Sequence, residues 1–155
     1  MTFSTDNNLP PPQSLHFLLI EDDDDHAEIV MRAVGMHRMG NSVHRVADGG
    51  AGLAYLRAQA HNGQRQPDIV LLDLKLPGRD GHEILREIKS DPALRQIPVI
   101  ILTTSPAEAD RVKAYDNLAN SYIVKPISFS GFRQMLADLS HYWSLWSPPH
   151  RSDSG

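Results

Sequence analysis

The chain contains no cysteine, which removes disulfides, Cys-ligated zinc and thiol catalysis from consideration. No apolar run approaches the roughly 18 residues that a membrane-spanning helix needs. The N-terminal stretch MTFSTDNNLPPPQ lacks the charged and apolar regions of a signal peptide. Gly-rich phosphate loops are missing, and the eight histidines show no HxH or HExxH spacing. His26, His37, His61 and His82 fall on polar faces or in loops and are read as solvated rather than as ligands. No basic stripe interleaved with aromatics occurs, and the net charge of −4 disfavours nucleic acid or an anionic membrane as a partner. The expectation is a soluble, cytoplasmic protein with neither a nucleic-acid nor a membrane partner.

What is present suits one globular domain. The 155 residues can bury a full core, and 41% apolar with 22% charged residues is ordinary composition. Residues 1–14 are polar and end in Pro10, Pro11 and Pro12, which predicts a disordered lead-in. Residues 147–155 read as a second loose tail, leaving 15–146 as the folded domain.

Within that span two periods alternate. Apolar runs at 16–20, 42–46, 69–72, 98–102 and 121–124 read as strands, and three of them are nearly all apolar, as parallel strands covered on both faces are. Helical spacing lies between them. Ala27, Val30, Met31 and Val34 mark one helix, Leu53 and Leu56 a second, and Ile84, Leu85 and Ile88 a third. Val112, Tyr115 and Ala119 mark a weaker fourth, and a fifth runs from Ser128, a good N-cap, to about Trp146. Asp48-Gly49-Gly50, Asp91-Pro92 and Gly78–Gly81 punctuate the elements. The pattern predicts an α/β fold with a doubly wound, five-stranded parallel sheet and helices on both faces.

In such sheets ligands bind beyond the carboxyl ends of the strands. At those ends stand Glu21 and Asp22, then Asp73, then Thr103, then Lys125. Carboxylates held about 5 Å apart at an effective dielectric near 20 repel by roughly 3 kcal/mol per pair. A hard divalent cation offsets that repulsion, and Mg²⁺ favours a few carboxylates, water and a phosphate oxygen. Asp73 could then serve as ligand and nucleophile toward phosphorus, with Lys125 and the Thr103 hydroxyl on the phosphoryl oxygens. An acidic run at a helix start can also be plain macrodipole placement, and that reading is kept for Asp24 or Asp25, one of which should cap the first helix.

The stretches LLIEDD (18–23), DIVLLDLKLPGRDG (68–81), VIILTTS (99–105) and YIVKP (122–126) resemble the CheY-like receiver domains of two-component response regulators. The resemblance spans about residues 15–140 and implies strand order 2-1-3-4-5. It implies Asp73 as phosphoacceptor and Asp22 as direct Mg²⁺ ligand, with Glu21 acting through water. The backbone carbonyl of Lys75 would complete the metal shell. Thr103 would be the switch hydroxyl, Lys125 the phosphate-facing cation, and Tyr122 the aromatic that swings inward when Thr103 engages the phosphoryl group. A Lys at 75 and Thr104-Ser105 depart from the simplest family members.

The last helix carries Phe129, Phe132, Leu136, Leu139, Trp143 and Trp146 at steps of three and four. Phe132, Leu136 and Leu139 read as cover for the sheet. A helix of about 19 residues is about 28 Å long, so Tyr142, Trp143 and Trp146 should project past the core and form a homodimer interface. This extension, the TTS stretch, the lengthened 58–67 segment and the lack of an output domain are similar to the small regulators paired with phytochrome histidine kinases. Two other readings stay open beside the signalling module. One is a Mg²⁺-dependent phosphatase with an Asp73 nucleophile, which wants an acid where Lys75 stands. The other is a scaffold that works without phosphorylation.

Overall fold

In the computed structural model, residues 15–36, 41–107, 121–125 and 128–146 are described, with residues 36, 121 and 139–146 described by backbone only. The elements are β1 (His16–Ile20), α1 (Asp24–Met36), β2 (Ser42–Val46), α2 (Gly49–His61), β3 (Ile69–Asp73), α3 (Gly81–Ser90), β4 (Val99–Thr103), β5 (Ser121–Val124) and α4 (Phe129–Trp146). The predicted fourth helix around Val112, Tyr115 and Ala119 lies outside the described residues; α4 is the helix expected from Ser128 to Trp146.

All strand pairs are parallel, and the sheet order is β2-β1-β3-β4-β5, as expected. Alternation along each strand explains why the central runs are apolar throughout. Leu18, Ile20, Val70, Leu72, Val99 and Ile101 face one side, where they pack with Leu53 and Leu56 of α2 and Ile84, Leu85 and Ile88 of α3. Phe17, Leu19, Ile69, Leu71, Ile100 and Leu102 face the other side, against Ala27, Val30 and Val34 of α1 and Phe132 and Leu136 of α4. The polar residues at or just past the carboxyl ends of β1, β3 and β4, namely Glu21, Asp73 and Thr103, line one rim.

The caps set where each helix begins. Ser128 caps α4, its Oγ accepting from the Gly131 N–H at 3.0 Å. Asp48 caps α2, accepting from Ala51 N–H at 2.7 Å. The α1 cap corrects the expectation for Asp24 or Asp25. It is Asp23, whose Oδ1 accepts from the N–H groups of Asp25 and His26 at 2.9 and 3.0 Å. Asp24 and Asp25 occupy the first turn of α1 instead. The Glu21 N–H still pairs with the Val46 carbonyl at 3.0 Å, so only Asp22 separates the end of the β1–β2 pairing from the cap.

Candidate functional site at the strand ends

Register brings the site together. Ile20 pairs with Leu72, so the next residues, Glu21 and Asp73, stand side by side on neighbouring strands. Asp73 pairs with Leu102, placing Thr103 one step beyond it, and Thr103 pairs with Val124, directly before Lys125. Adjacent strands lie about 4.8 Å apart, and the long Lys125 side chain crosses β4 to reach the acids. Its Nζ donates to Asp73 Oδ2 at 3.0 Å and to Glu21 Oε2 at 3.0 Å, and lies 2.8 Å from Glu21 Oε1.

Burial separates the three acids. Glu21 is 0% exposed and Asp73 4%, whereas Asp22 is exposed. Burial pushes the Glu21 carboxyl up to about 7, with Asp73 adding to the rise and the Lys125 hydrogen bond opposing it. For Lys125, burial alone would lower the pKa, but the hydrogen bonds to Glu21 and Asp73 carry it above the ordinary lysine value. The cation is thus held charged between two buried carboxylates.

Among the described residues, one carboxylate oxygen each from Glu21, Asp22 and Asp73 lie within 4.8 Å of one another. Glu21 Oε1 is buried without a well-formed hydrogen bond among those residues. Three hard oxygen donors, one with acceptor capacity to spare, fit a divalent cation such as Mg²⁺. Asp73 Oδ1 accepts from the Lys75 N–H at 2.9 Å, which fixes the carboxylate and curls the following loop beneath it.

That loop depends on two glycines. Gly78 has φ +78°, a conformation L side chains rarely adopt. At Gly81 a Cβ would sit 2.5 Å from the Asp73 carbonyl oxygen and 2.5 Å from Leu74 Cα. Only glycine lets α3 start against the backbone of the acceptor residue. Thr103 is buried, with Oγ1 accepting from Ser105 N–H at 3.0 Å. Alternation puts Thr103 on the same sheet face as Ile101 and its β5 partner Tyr122, which is half-buried against the α2–α3 core. The backbone of α4 is helical through Trp146, while the side chains of Leu139, Tyr142, Trp143 and Trp146 lie outside the described residues.

The sequence carrying this rim of buried acid, lysine and hydroxyl matches the family model of the response regulator receiver domain over residues 17–137. The chain belongs to this family. The receiver is 42% identical over 130 residues to the probable methanogenesis regulatory protein FilR2 of Methanothrix harundinacea, covering 84% of each chain. It is 33% identical over 134 residues to the response regulator Rcp1 of Synechocystis, covering 86% of this chain and 90% of that one. A crystal structure of the phosphorylated cyanobacterial phytochrome response regulator RcpA superposes with a TM-score of 0.73 at 37% identity, covering 87% of this receiver and 98% of RcpA. A structure of Rcp1 in its Mn²⁺-bound form superposes with a TM-score of 0.69. No helix among the described residues is long and apolar enough to cross a membrane.

One residue at the rim escaped the reading of the sequence. Arg45, inside the β2 run, sends its guanidinium to the Glu21 carbonyl and to Asp24. A cation near the end of an edge strand beside β1 was the available signal, but it carries meaning only once the sheet order is known.

Proposed function

We propose that this receiver takes a phosphoryl group onto Asp73 from the phosphohistidine of a sensor histidine kinase, and signals by the resulting change of shape. The observation that carries the reading is the juxtaposition of Asp73 with Glu21, Asp22 and Lys125 in one buried-to-exposed gradient. An Asp73 carboxylate oxygen attacks phosphorus, the P–N bond to the donor imidazole breaks, and the imidazole leaves with the electron pair. Lys125, already 3.0 Å from Oδ2, stays to neutralise the acyl phosphate, and the Thr103 hydroxyl turns from Ser105 toward a phosphoryl oxygen. Glu21, Asp22, Asp73 and the Lys75 carbonyl are the groups that would hold Mg²⁺, which when bound neutralises charge on the transferring phosphoryl group.

Tyr122 shares a sheet face with Thr103 and would follow it inward. The similarity to RcpA and Rcp1 supports a phytochrome-type kinase as donor. The aromatic end of α4, with Tyr142, Trp143 and Trp146, is the proposed homodimer contact, and the protein works in the cytoplasm. Its phosphotransfer is self-directed rather than that of an Asp-nucleophile phosphatase, because Lys75 occupies the position where such an enzyme needs its acid.

Incubation with acetyl phosphate and Mg²⁺, read by intact mass, tests this. A single phosphate that disappears in Asp73→Asn supports the reading. Rapid release of inorganic phosphate with no retained adduct marks a phosphatase instead, and an unmodified chain marks a scaffold.

A further inference from the structure

We propose that Arg45 is a positioning residue for the divalent cation, clamping the β1–α1 loop so that Asp22 and Glu21 stand in ligating register. This rests on the metal reading above and adds a residue that touches no ligand itself. Arg45 is the penultimate residue of edge strand β2 and pairs with Leu19 of β1. Its side chain is only 23% exposed. Nε donates to the Glu21 carbonyl oxygen at 3.0 Å, and Nη1 lies 2.9 Å from Asp24 Oδ1 at the start of α1. The two contacts bracket the loop from Glu21 to Asp24. Nη2 is buried with no hydrogen-bond partner among the described residues, so the guanidinium has sunk into the loop rather than spread over its surface.

The leverage comes from peptide geometry. The Glu21 carbonyl belongs to the same rigid plane as the Asp22 N–H. Fixing that oxygen fixes where the Asp22 side chain leaves the backbone. Glu21 is packed and held by Lys125, but Asp22 is exposed, so the backbone is what sets where its side chain starts and which positions its carboxylate can reach by turning about χ1 and χ2. The second contact ties the loop to α1 and stops the acid pair from drifting outward under mutual repulsion.

A clamp and a bystander charge act in opposite directions on the same measurement. Arg45 is a cation close to a cation site, so as a charge it weakens metal binding and its removal would tighten it. As a clamp, its removal weakens binding. Lysine separates the two further: Arg45→Lys keeps the charge but loses the fork that reaches two partners at once.

The test is calorimetric titration of Mg²⁺ into the full chain for wild type, Arg45→Gln and Arg45→Lys, with thermal unfolding of each metal-free protein. Both variants should bind Mg²⁺ about tenfold more weakly, the low end of the effect of removing groups that orient metal ligands. Phosphorylation by acetyl phosphate should need correspondingly more Mg²⁺ and reach the wild-type rate at saturation. Variants that bind as wild type does, or more tightly, overturn the inference, as does a lower maximal rate with unchanged Mg²⁺ half-saturation. A lowered melting temperature with unchanged Mg²⁺ affinity shows a purely structural arginine and overturns it too. Wild type that binds no Mg²⁺ overturns the metal reading, and this inference with it.

Discussion

Replacing Lys125 with methionine removes the cation seated between Glu21 and Asp73 while keeping much of the side-chain volume. The lysine side chain is 7% exposed and Glu21 0%, so solvent cannot take over its role. Removing one partner of such a buried pair costs about 3–5 kcal/mol, because the remaining charge is stranded. The stranded group can escape by taking up a proton, and Glu21 is already disposed to do so with its pKa near 7.

Without Lys125 that pKa rises further, since the hydrogen bond that held it down is gone. A carboxyl raised in the folded state stabilises fully below its unfolded pKa and loses that contribution as pH rises through the folded one. In wild type the loss ends near pH 7. In Lys125→Met it continues above 7, by about 1.4 kcal/mol per pH unit until the new pKa is reached. Urea denaturation of both proteins at pH 6, 7, 8 and 9, without divalent cations, measures the gap. It should be smallest at pH 6 and widen toward pH 9, and adding Glu21→Gln to Lys125→Met should recover most of it. A gap independent of pH, or no rescue by the double variant, would refute this electrostatic account of the site.

Gly81→Ala drives a Cβ to 2.5 Å from the Asp73 carbonyl, and neither backbone can yield cheaply. Destabilisation of about 1–3 kcal/mol by urea denaturation is expected, and a wild-type midpoint would contradict it. Phe132→Ala, which opens a cavity between α4 and the sheet, should cost about 3–5 kcal/mol by the same assay. Mg²⁺ at a hundredfold excess over its dissociation constant should stabilise the folded chain by about 2.7 kcal/mol. Scanning calorimetry should show that gain shrink in Asp22→Asn.

His16 lies at the opposite end of the sheet, within 2.7 Å of Ser42 Oγ and 3.1 Å of Tyr55 OH. Burial, then Arg65 and His44, lower its pKa below 6.5. The unfolded chain therefore takes up this proton first, and stability should fall as pH drops from 6.5 through the folded value. His16→Gln should flatten that slope in urea titrations at pH 5 and 7.5.

The β1, β3 and β4 runs were legible because each is covered on both faces and so carries apolar residues without alternation, a signal confined to four consecutive positions. Glu21, Asp73 and Thr103 were legible because each directly follows such a run, with Asp22 next after Glu21 and Lys125 directly after the weaker 121–124 run, and a parallel sheet must bring those ends to one rim. Ser128 was legible as a cap because a cap bonds only two or three residues ahead, whereas Asp48 was read only as part of a turn and the structure shows it capping α2. The identity of the α1 cap was not legible either. Five acidic residues in a row offer several candidates, and only the fold shows which carboxylate turns back onto the first N–H groups of the helix.

Sequence by itself thus determined what is local: which segments are strands or helices, and which chemical groups end each strand. Tertiary structure alone decided what depends on direction across distant segments. It buried Glu21 under Lys125, 104 residues away, while leaving the adjacent Asp22 in solvent, and it aimed Arg45 at a loop 24 residues earlier. Neighbouring carboxylates look alike in a string of letters; they part company only when pleat and register send one into the protein and the other out.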